Sequence, residues 1–195
     1  MKRCLAIMLM VLASIGVMAG EYVSPSFEVG KCDGQRVIIK ADTVSSYITL
    51  PRGTADVMND YGFNDSVIRL FGILEKNGCE LIRATVSGSA SPDGLWGNNI
   101  ALSKARMDNA AEYLRKTMGV PAHKIERQDL MEDWKRLEEM VSSSDLPYKE
   151  EVLRIIRTKT WGERKSALRQ LDGGSVWNIL EEHFFPLLRC VKVTL

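Results

Sequence analysis

Residues 86–134 read VSGSASPDGLWGNNIALSKARMDNAAEYLRKTMGVPAHKIERQDLMEDW, and this stretch decides the fold. Around its start, residues 82–86 alternate apolar and polar side chains, with Ile82 among the apolar ones, which predicts a half-buried strand. Residues 88–97 hold three glycines and a proline, which predicts a loop. From 99 to 118, apolar residues recur at helical spacing and predict one long helix. Its inner face is expected to consist of Met107, Ala110, Ala111, Leu114 and Met118.

The polar side of this predicted helix carries the candidate site. Asn99, Ser103 and Arg106 are spaced at i, i+4 and i+7, so they lie on one stripe that begins where the loop enters the helix. A guanidinium, an amide, a hydroxyl and the free N–H groups of a helix N-terminus together suit a ligand with a carboxylate. A purely structural interpretation stays open, in which Asn99 caps the helix, Ser103 bonds to its own helix backbone and Arg106 pairs with Asp93.

The motif NxxLSxxR at 99–106, followed by YL and then GVP, resembles the OmpA-like C-terminal domain, a family that binds peptidoglycan noncovalently. The resemblance covers roughly 45–195 in outline. It implies an α+β fold of order β-α-β-α-β-α-β, in which a mixed four-stranded sheet packs on helices. Residues 131–185 are predicted to be helical throughout, as an insertion before the last strand that the short family version lacks. Tryptophans at helical spacing in this segment are more typical of a core than of a sugar-stacking surface.

In this family, a loop aspartate and the helix arginine clamp the diaminopimelate part of a peptide stem. The arginine corresponds to Arg106, which is expected to face an open notch, whereas the aspartate position corresponds to Ser91. Asp93, two residues further on, is the candidate substitute. The resemblance thus implies a ligand site of Ser91, Asp93, Asn99, Ser103 and Arg106, with peptidoglycan as the partner.

The replacement at Ser91 and the helical insertion support an alternative on the same scaffold. In it, the chain is a protein-interaction or accessory module of an outer-membrane or surface assembly and has lost peptidoglycan binding. Enzyme signatures do not occur: the sequence has no HExxH, CxxC, GxSxG, SxxK, GxGxxG or Walker pattern. We therefore expect a noncatalytic protein without cofactor or metal. A net charge of +1 gives no indication of a nucleic-acid partner.

Residues 1–19 are typical of a secretory signal peptide, with Lys2 and Arg3 before an apolar run and small residues at the cleavage positions before Gly20. An uncleaved anchor is the alternative, although the run is short for a bilayer span of about 20 residues. We expect export to the periplasm, association with the outer membrane and no transmembrane segment after cleavage. Export permits disulfides, and either a bridge or buried free thiols are compatible with the three remaining cysteines, Cys32, Cys79 and Cys190.

The rest of the chain is assigned from its patterns. Residues 20–44 are expected to form a leader with a short hairpin that turns at Asp33-Gly34. The domain proper then runs over 45–195. Within it, we expect a helix at 65–76 and strands at 47–51, 124–130 and 188–195.

Overall fold

The computed structural model describes residues 27–29, 39–41, 45–62, 64–65 and 81–195. The predicted signal peptide, the predicted turn at Asp33-Gly34 and most of the predicted helix at 65–76 lie outside these residues. The strands are β1 (Phe27–Val29), β2 (Ile39–Ala41), β3 (Ser45–Thr49), β4 (Ala84–Ala90), β5 (Ile125–Glu132) and β6 (Cys190–Thr194). The α-helices are α1 (Trp96–Thr117), α2 (Trp134–Ser142), α3 (Lys149–Thr158), α4 (Trp161–Gln170), α5 (Ser175–Ile179) and α6 (Phe185–Leu188), and a π-helical turn (Leu180–Phe184) joins the last two.

Four of the strands form one mixed sheet in the order β3-β6-β4-β5. β4 and β5 are parallel, and β6 runs antiparallel to both β3 and β4. The parallel pair is connected through α1, which packs across β4 and β5 as the crossover helix that a parallel pair requires. β1 and β2 form a separate antiparallel pair. The fold class expected from the sequence, a mixed four-stranded sheet packed on helices, is confirmed.

The inner face of α1 matches the spacing of its apolar residues. Met107, Ala110, Ala111 and Leu114 are buried against the sheet, and Met118 packs at the edge of the same core. The sheet contributes the alternate, inward residues of its strands to this core. These include Ile48, Val86, Val191 and Val193.

Two local predictions in the opening stretch are wrong. β4 begins only at Ala84, so Ile82 precedes the strand and is 86% exposed. β4 then continues through Gly88 to Ala90, where the glycines and serines predict a loop. The reason is close packing, because a Cβ on Gly88 would lie 2.4 Å from the carbonyl oxygen of Ser103. Glycine at this position lets the backbones of β4 and α1 approach each other.

The helices of 134–188 enclose a second core. β5 extends to Glu132, two residues into the segment predicted to be helical, and the helices begin at Trp134. Trp134 and Trp177 are buried, as expected of core tryptophans, whereas Trp161 is only partly buried. No helix in the described part of the chain has both the length and the apolar character that crossing a membrane requires. The buried residues of this core are Trp134, Leu137, Val141, Leu146, Val152, Leu153, Ile155, Ile156, Leu168, Val176, Trp177, Leu180, Phe185 and Leu188.

Candidate functional site

Arg106 lies in the middle of α1, and its side chain is enclosed by protein. Its residue exposure is 0%. Nε donates to the Thr54 carbonyl at 2.9 Å, Nη1 to the Ser89 carbonyl at 2.9 Å and Nη2 to the Pro51 carbonyl at 3.1 Å. Burial lowers the pKa of Arg106 to about 10, so the guanidinium still carries its charge at neutral pH. The expectation that it faces an open notch is wrong, since backbone carbonyls fill that space.

The polar stripe of α1 continues beyond Arg106 and binds the same segment of chain. Asn109 Nδ2 donates to the Ala55 carbonyl and to the Asp56 carboxylate, each at 3.1 Å. One turn further, the Tyr113 hydroxyl donates to Asn59 at 3.0 Å. Positions 106, 109 and 113 share one face of a helix. The segment from 51 to 59 therefore lies along the face of α1 that the sequence assigns to a ligand.

Asp93 pairs with arginines other than Arg106. Its carboxylate forms ion pairs with Arg52 at 2.9 Å and Arg189 at 3.2 Å, and its side chain is 6% exposed. The Ser91 hydroxyl donates to the same carboxylate and accepts from Nε of Arg189 at 3.3 Å. Two guanidiniums thus neutralise the loop carboxylate. The sequence gives no indication of either ion pair, because Arg52 and Arg189 both lie far from Asp93 along the chain.

Asn99 and Ser103 also bond outside their own helix. Asn99 lies inside the first turn of α1 and is not its cap, and its Nδ2 donates to the Ser91 carbonyl at 2.9 Å and to Glu132. The Ser103 hydroxyl lies between two acceptors, the Gly88 carbonyl at 2.9 Å and the Asp129 carboxylate. Both side chains tie α1 to β4, β5 and the loop between β4 and α1. The structural interpretation of the stripe is therefore wrong about each partner, although all three side chains do bond to other parts of the protein.

A buried ion pair that the sequence does not reveal joins the helical segment to this loop. Glu132, at the end of β5, pairs with Lys165 of α4, and their side chains are 1% and 13% exposed. Lys165 Nζ also donates to the Gly94 carbonyl at 2.9 Å, and Trp134 Nε1 donates to Glu132 at 3.2 Å. An ion pair of this kind must be well hydrogen-bonded to offset the cost of desolvation. The contacts of Lys165 fix the position of α4 against the start of α1.

For Cys190, the structure distinguishes between the two alternatives, a disulfide bridge and a free thiol. It is a buried free thiol at the start of β6. Nη1 of Arg136 lies 3.0 Å from its sulfur, and the same guanidinium lies 3.5 Å from the centre of the Tyr47 ring. Burial raises the pKa of the Cys190 thiol above its usual value. Cys32 and Cys79 lie outside the described residues.

An open cavity of about 390 Å³ lies beside this network, between the 93–96 loop and α4. Trp96 and Trp161 both line it, one from the start of α1 and the other from the start of α4. Within the described residues, no group of three or more His, Cys, Asp or Glu side chains is placed to hold a metal ion. The complete lining of the cavity is Asp93, Gly94, Leu95, Trp96, Trp161, Gly162, Lys165 and Arg169.

No family model and no curated protein sequence matches this chain. Among solved structures, it is similar to the OmpA-like domain of FopA1 from Francisella tularensis, with 16% identity and a TM-score of 0.41, covering 92% of this chain and 95% of that one. It is also similar to an outer membrane protein from Borrelia burgdorferi, with 18% identity and a TM-score of 0.37, covering 54% of this chain and 85% of that one. The α+β fold described above is established by the chain's own strand order.

Proposed function

We propose that the chain is a noncatalytic module of the cell envelope that works through contacts with another envelope protein. It does not hold a peptide stem with Arg106 in this proposal. The observation that carries it is the environment of that guanidinium, which is 0% exposed and donates through all three nitrogens to backbone carbonyls. A ligand carboxylate would have to displace carbonyls that already satisfy the donors. The carbonyls of Thr54, Ser89 and Pro51 would then lose their donor, and a buried acceptor left without a partner costs about 1–3 kcal/mol.

The second group of the expected clamp, the Asp93 carboxylate, also has partners within the protein. In the family, the loop carboxylate faces the ammonium group of the ligand. Here Asp93 already has two cationic partners, Arg52 and Arg189, within 3.2 Å. An incoming ammonium would meet two positive charges around a single carboxylate, and like charges at this range repel. Both groups of the expected clamp thus serve the protein's own structure, which favours a role through other surfaces.

A second candidate is noncovalent binding of a diaminopimelate-type stem by Ser91, Asp93, Asn99, Ser103 and Arg106. One observation favours it: all five are gathered around the segment 88–93, because each of them contacts an atom of that segment or belongs to it. This candidate requires the 51–59 segment to leave the face of α1. Asn64 opposes that movement, since its side chain donates to the carbonyls of Thr49 and Met58 at 2.8 Å each.

Co-sedimentation with purified diaminopimelate-type peptidoglycan separates the two candidates. The proposal expects the chain to remain in the supernatant, while an OmpA-like domain that keeps the loop aspartate sediments in parallel. Specific retention of the chain that is lost in Asp93→Asn would overturn the proposal and support the second candidate. Asp93→Asn keeps the size of the side chain, and circular dichroism of the variant shows whether the fold survives the loss of the ion pairs with Arg52 and Arg189.

Crosslinking in intact cells tests the positive half of the proposal. After crosslinking and mass spectrometry, we expect one dominant protein partner and no attached wall fragment. Fractionation of the same cells tests the proposed place of the module, on the periplasmic side of the outer membrane after removal of residues 1–19. Recovery of wall fragments without a protein partner would contradict the proposal.

A further inference from the structure

The cavity between the 93–96 loop and α4 has an accessible apolar floor. Leu95 is 76% exposed there, although most large apolar side chains of the described residues are buried. Trp96 and Trp161 lie beside it and are only partly buried. Leu95 and the two indoles give this face an apolar surface that a bound partner would remove from water. This arrangement indicates a contact surface.

The rim of the cavity carries an excess of positive charge. Arg169 is exposed, stacks over Trp177 at 4.4 Å and donates to the Asp93 carbonyl at 3.4 Å. The carboxylates around it are already engaged in ion pairs, as shown above for Asp93 and Glu132. Three of the cations in or beside the cavity, Arg52, Lys165 and Arg189, are the partners of these carboxylates and of Glu181. Arg169 of the lining is the one excess positive charge in this group of residues. The surface is complementary to an anionic partner.

The walls of the cavity are held in place before any partner arrives. On one side, Lys165 Nζ of α4 donates a hydrogen bond to the Gly94 carbonyl of the loop. On the other side, a Cβ on Gly94 would lie 2.4 Å from Oδ1 of Asn99, so the loop is pressed against α1 at this residue. A surface that is already ordered loses less conformational entropy on binding.

We propose that this cavity binds an acidic peptide segment that carries one or two large apolar side chains and belongs to a partner protein. The inference rests on the proposed function and names the surface that performs it. A volume of about 390 Å³ suits one or two side chains. The apolar side chains would lie against Leu95 and the two indoles, and the carboxylates would lie near Arg169 and Arg52.

Fluorescence anisotropy with a labelled peptide measures whether the chain binds an acidic segment with apolar side chains. The probe is the fluorescein-labelled peptide Asp-Glu-Leu-Phe-Glu-Asp, and the protein is the full chain. We expect it to bind at least about tenfold more tightly than Asn-Gln-Leu-Phe-Gln-Asn, which lacks the charge, or Asp-Glu-Ala-Ala-Glu-Asp, which lacks the apolar side chains. Equal binding of the three peptides, or tighter binding of chitotetraose than of the acidic probe, would overturn the proposal.

Two variants in the cavity and one matched control outside it locate the binding surface. Arg169→Glu and Leu95→Ser change exposed side chains and should each weaken the acidic probe by about tenfold. Arg154→Glu makes the same change of charge at an exposed arginine of α3 and should leave the affinity within about twofold. Equal losses in Arg154→Glu and Arg169→Glu would show attraction by net charge alone, which contradicts a site in the cavity.

A photo-crosslinking amino acid in cells distinguishes failure of this inference from failure of the proposed function. It is placed at Leu95 or, as a control, at Ile82, which is equally accessible but lies beyond the other end of β4. An adduct at Leu95 that maps to an acidic, apolar segment of one protein supports the cavity. An adduct at Ile82 alone overturns the cavity but leaves the proposed function in place. An adduct at neither position overturns the cavity, and the proposed function is then judged by the general crosslinking described above.

Discussion

The Nε–H group of Arg106 donates to the carbonyl oxygen of Thr54 at 2.9 Å, across 52 residues of the chain. The bond joins the middle of α1 to the segment that follows β3. Since the other two nitrogens bind Pro51 and Ser89, one side chain holds three pieces of backbone together. A residue that the sequence assigns to a ligand is thus a central structural element.

We expect Arg106→Ala to lower the free energy of unfolding by about 3 kcal/mol or more, because it leaves three carbonyls without donors and an empty volume beside them. Lys104→Ala, an exposed change on the same helix, should stay within about 0.5 kcal/mol of the original protein. Urea denaturation followed by circular dichroism measures both. Similar stabilities for the two variants would show that the guanidinium contributes little.

Gly88→Ala tests the close approach of β4 and α1. The added methyl group would lie 2.4 Å from the Ser103 carbonyl oxygen and 2.7 Å from Cβ of Met107, so we expect a loss of about 1–3 kcal/mol from overpacking. Gly97→Ala is the matched control, because it lies within α1 with open space around its Cβ position. It should raise stability by about 0.5–1 kcal/mol through helix propensity. Thermal unfolding that ranks the two variants in the opposite order would contradict the packing described here.

The pair Lys165–Glu132 should behave as a buried ion pair. Lys165→Met leaves the Glu132 carboxylate buried and uncompensated, and we expect it to cost about 3 kcal/mol. Adding Glu132→Leu removes that carboxylate, so the double variant should regain part of the stability that the single variant loses. A double-mutant cycle in urea gives the coupling. Strict additivity of the two changes would show that the residues do not interact.

Cys190 should be unreactive in the native protein. Its thiol is buried and its pKa is raised by that burial, so little thiolate is present or accessible at neutral pH. In a variant in which Cys4, Cys32 and Cys79 are serine, we expect reaction with Ellman's reagent to be slow in buffer and fast in 6 M guanidinium chloride. The outcome that would contradict the structure is the same fast rate in both solutions.

The lowered pKa of Glu112 predicts how its contribution to stability depends on pH. Hydrogen bonds and ion pairs with Arg115 and Lys116 lower the pKa of Glu112 from 4.5 to about 2. Because its pKa in the folded protein is depressed, the contribution of Glu112 to stability is present above pH 4.5 and is lost as the pH falls towards 2. NMR titration of its carboxyl carbon should show this midpoint at low salt and a higher one in 1 M NaCl. A midpoint near 4.5 at low salt would show that the three side chains do not pair in solution.

The residues of α1 illustrate what the sequence can and cannot reveal. Its apolar face follows from spacing alone, because helical periodicity depends on local geometry. The assignment of 88–90 to a loop failed for a tertiary reason: glycine usually weakens a strand, yet here it allows contact with a helix. The partners of Asp93 and Glu132 lie 96 and 33 residues away, and no local pattern encodes them. Helical spacing places Asn99, Ser103 and Arg106 on one stripe of α1, but the partners of these side chains are visible only in three dimensions.

The position of β6 has a consequence for biogenesis. The hydroxyls of Ser45 and Thr194 are 2.8 Å apart but separated by 149 residues, and among the described strands β3 pairs with β6 alone. While the ribosome is still making the helices, β3 has no neighbour to pair with, because the strand that receives it has not yet been synthesised. The nascent chain therefore remains incompletely folded until its translation has passed residue 194, and closure of a loop of that length is slow.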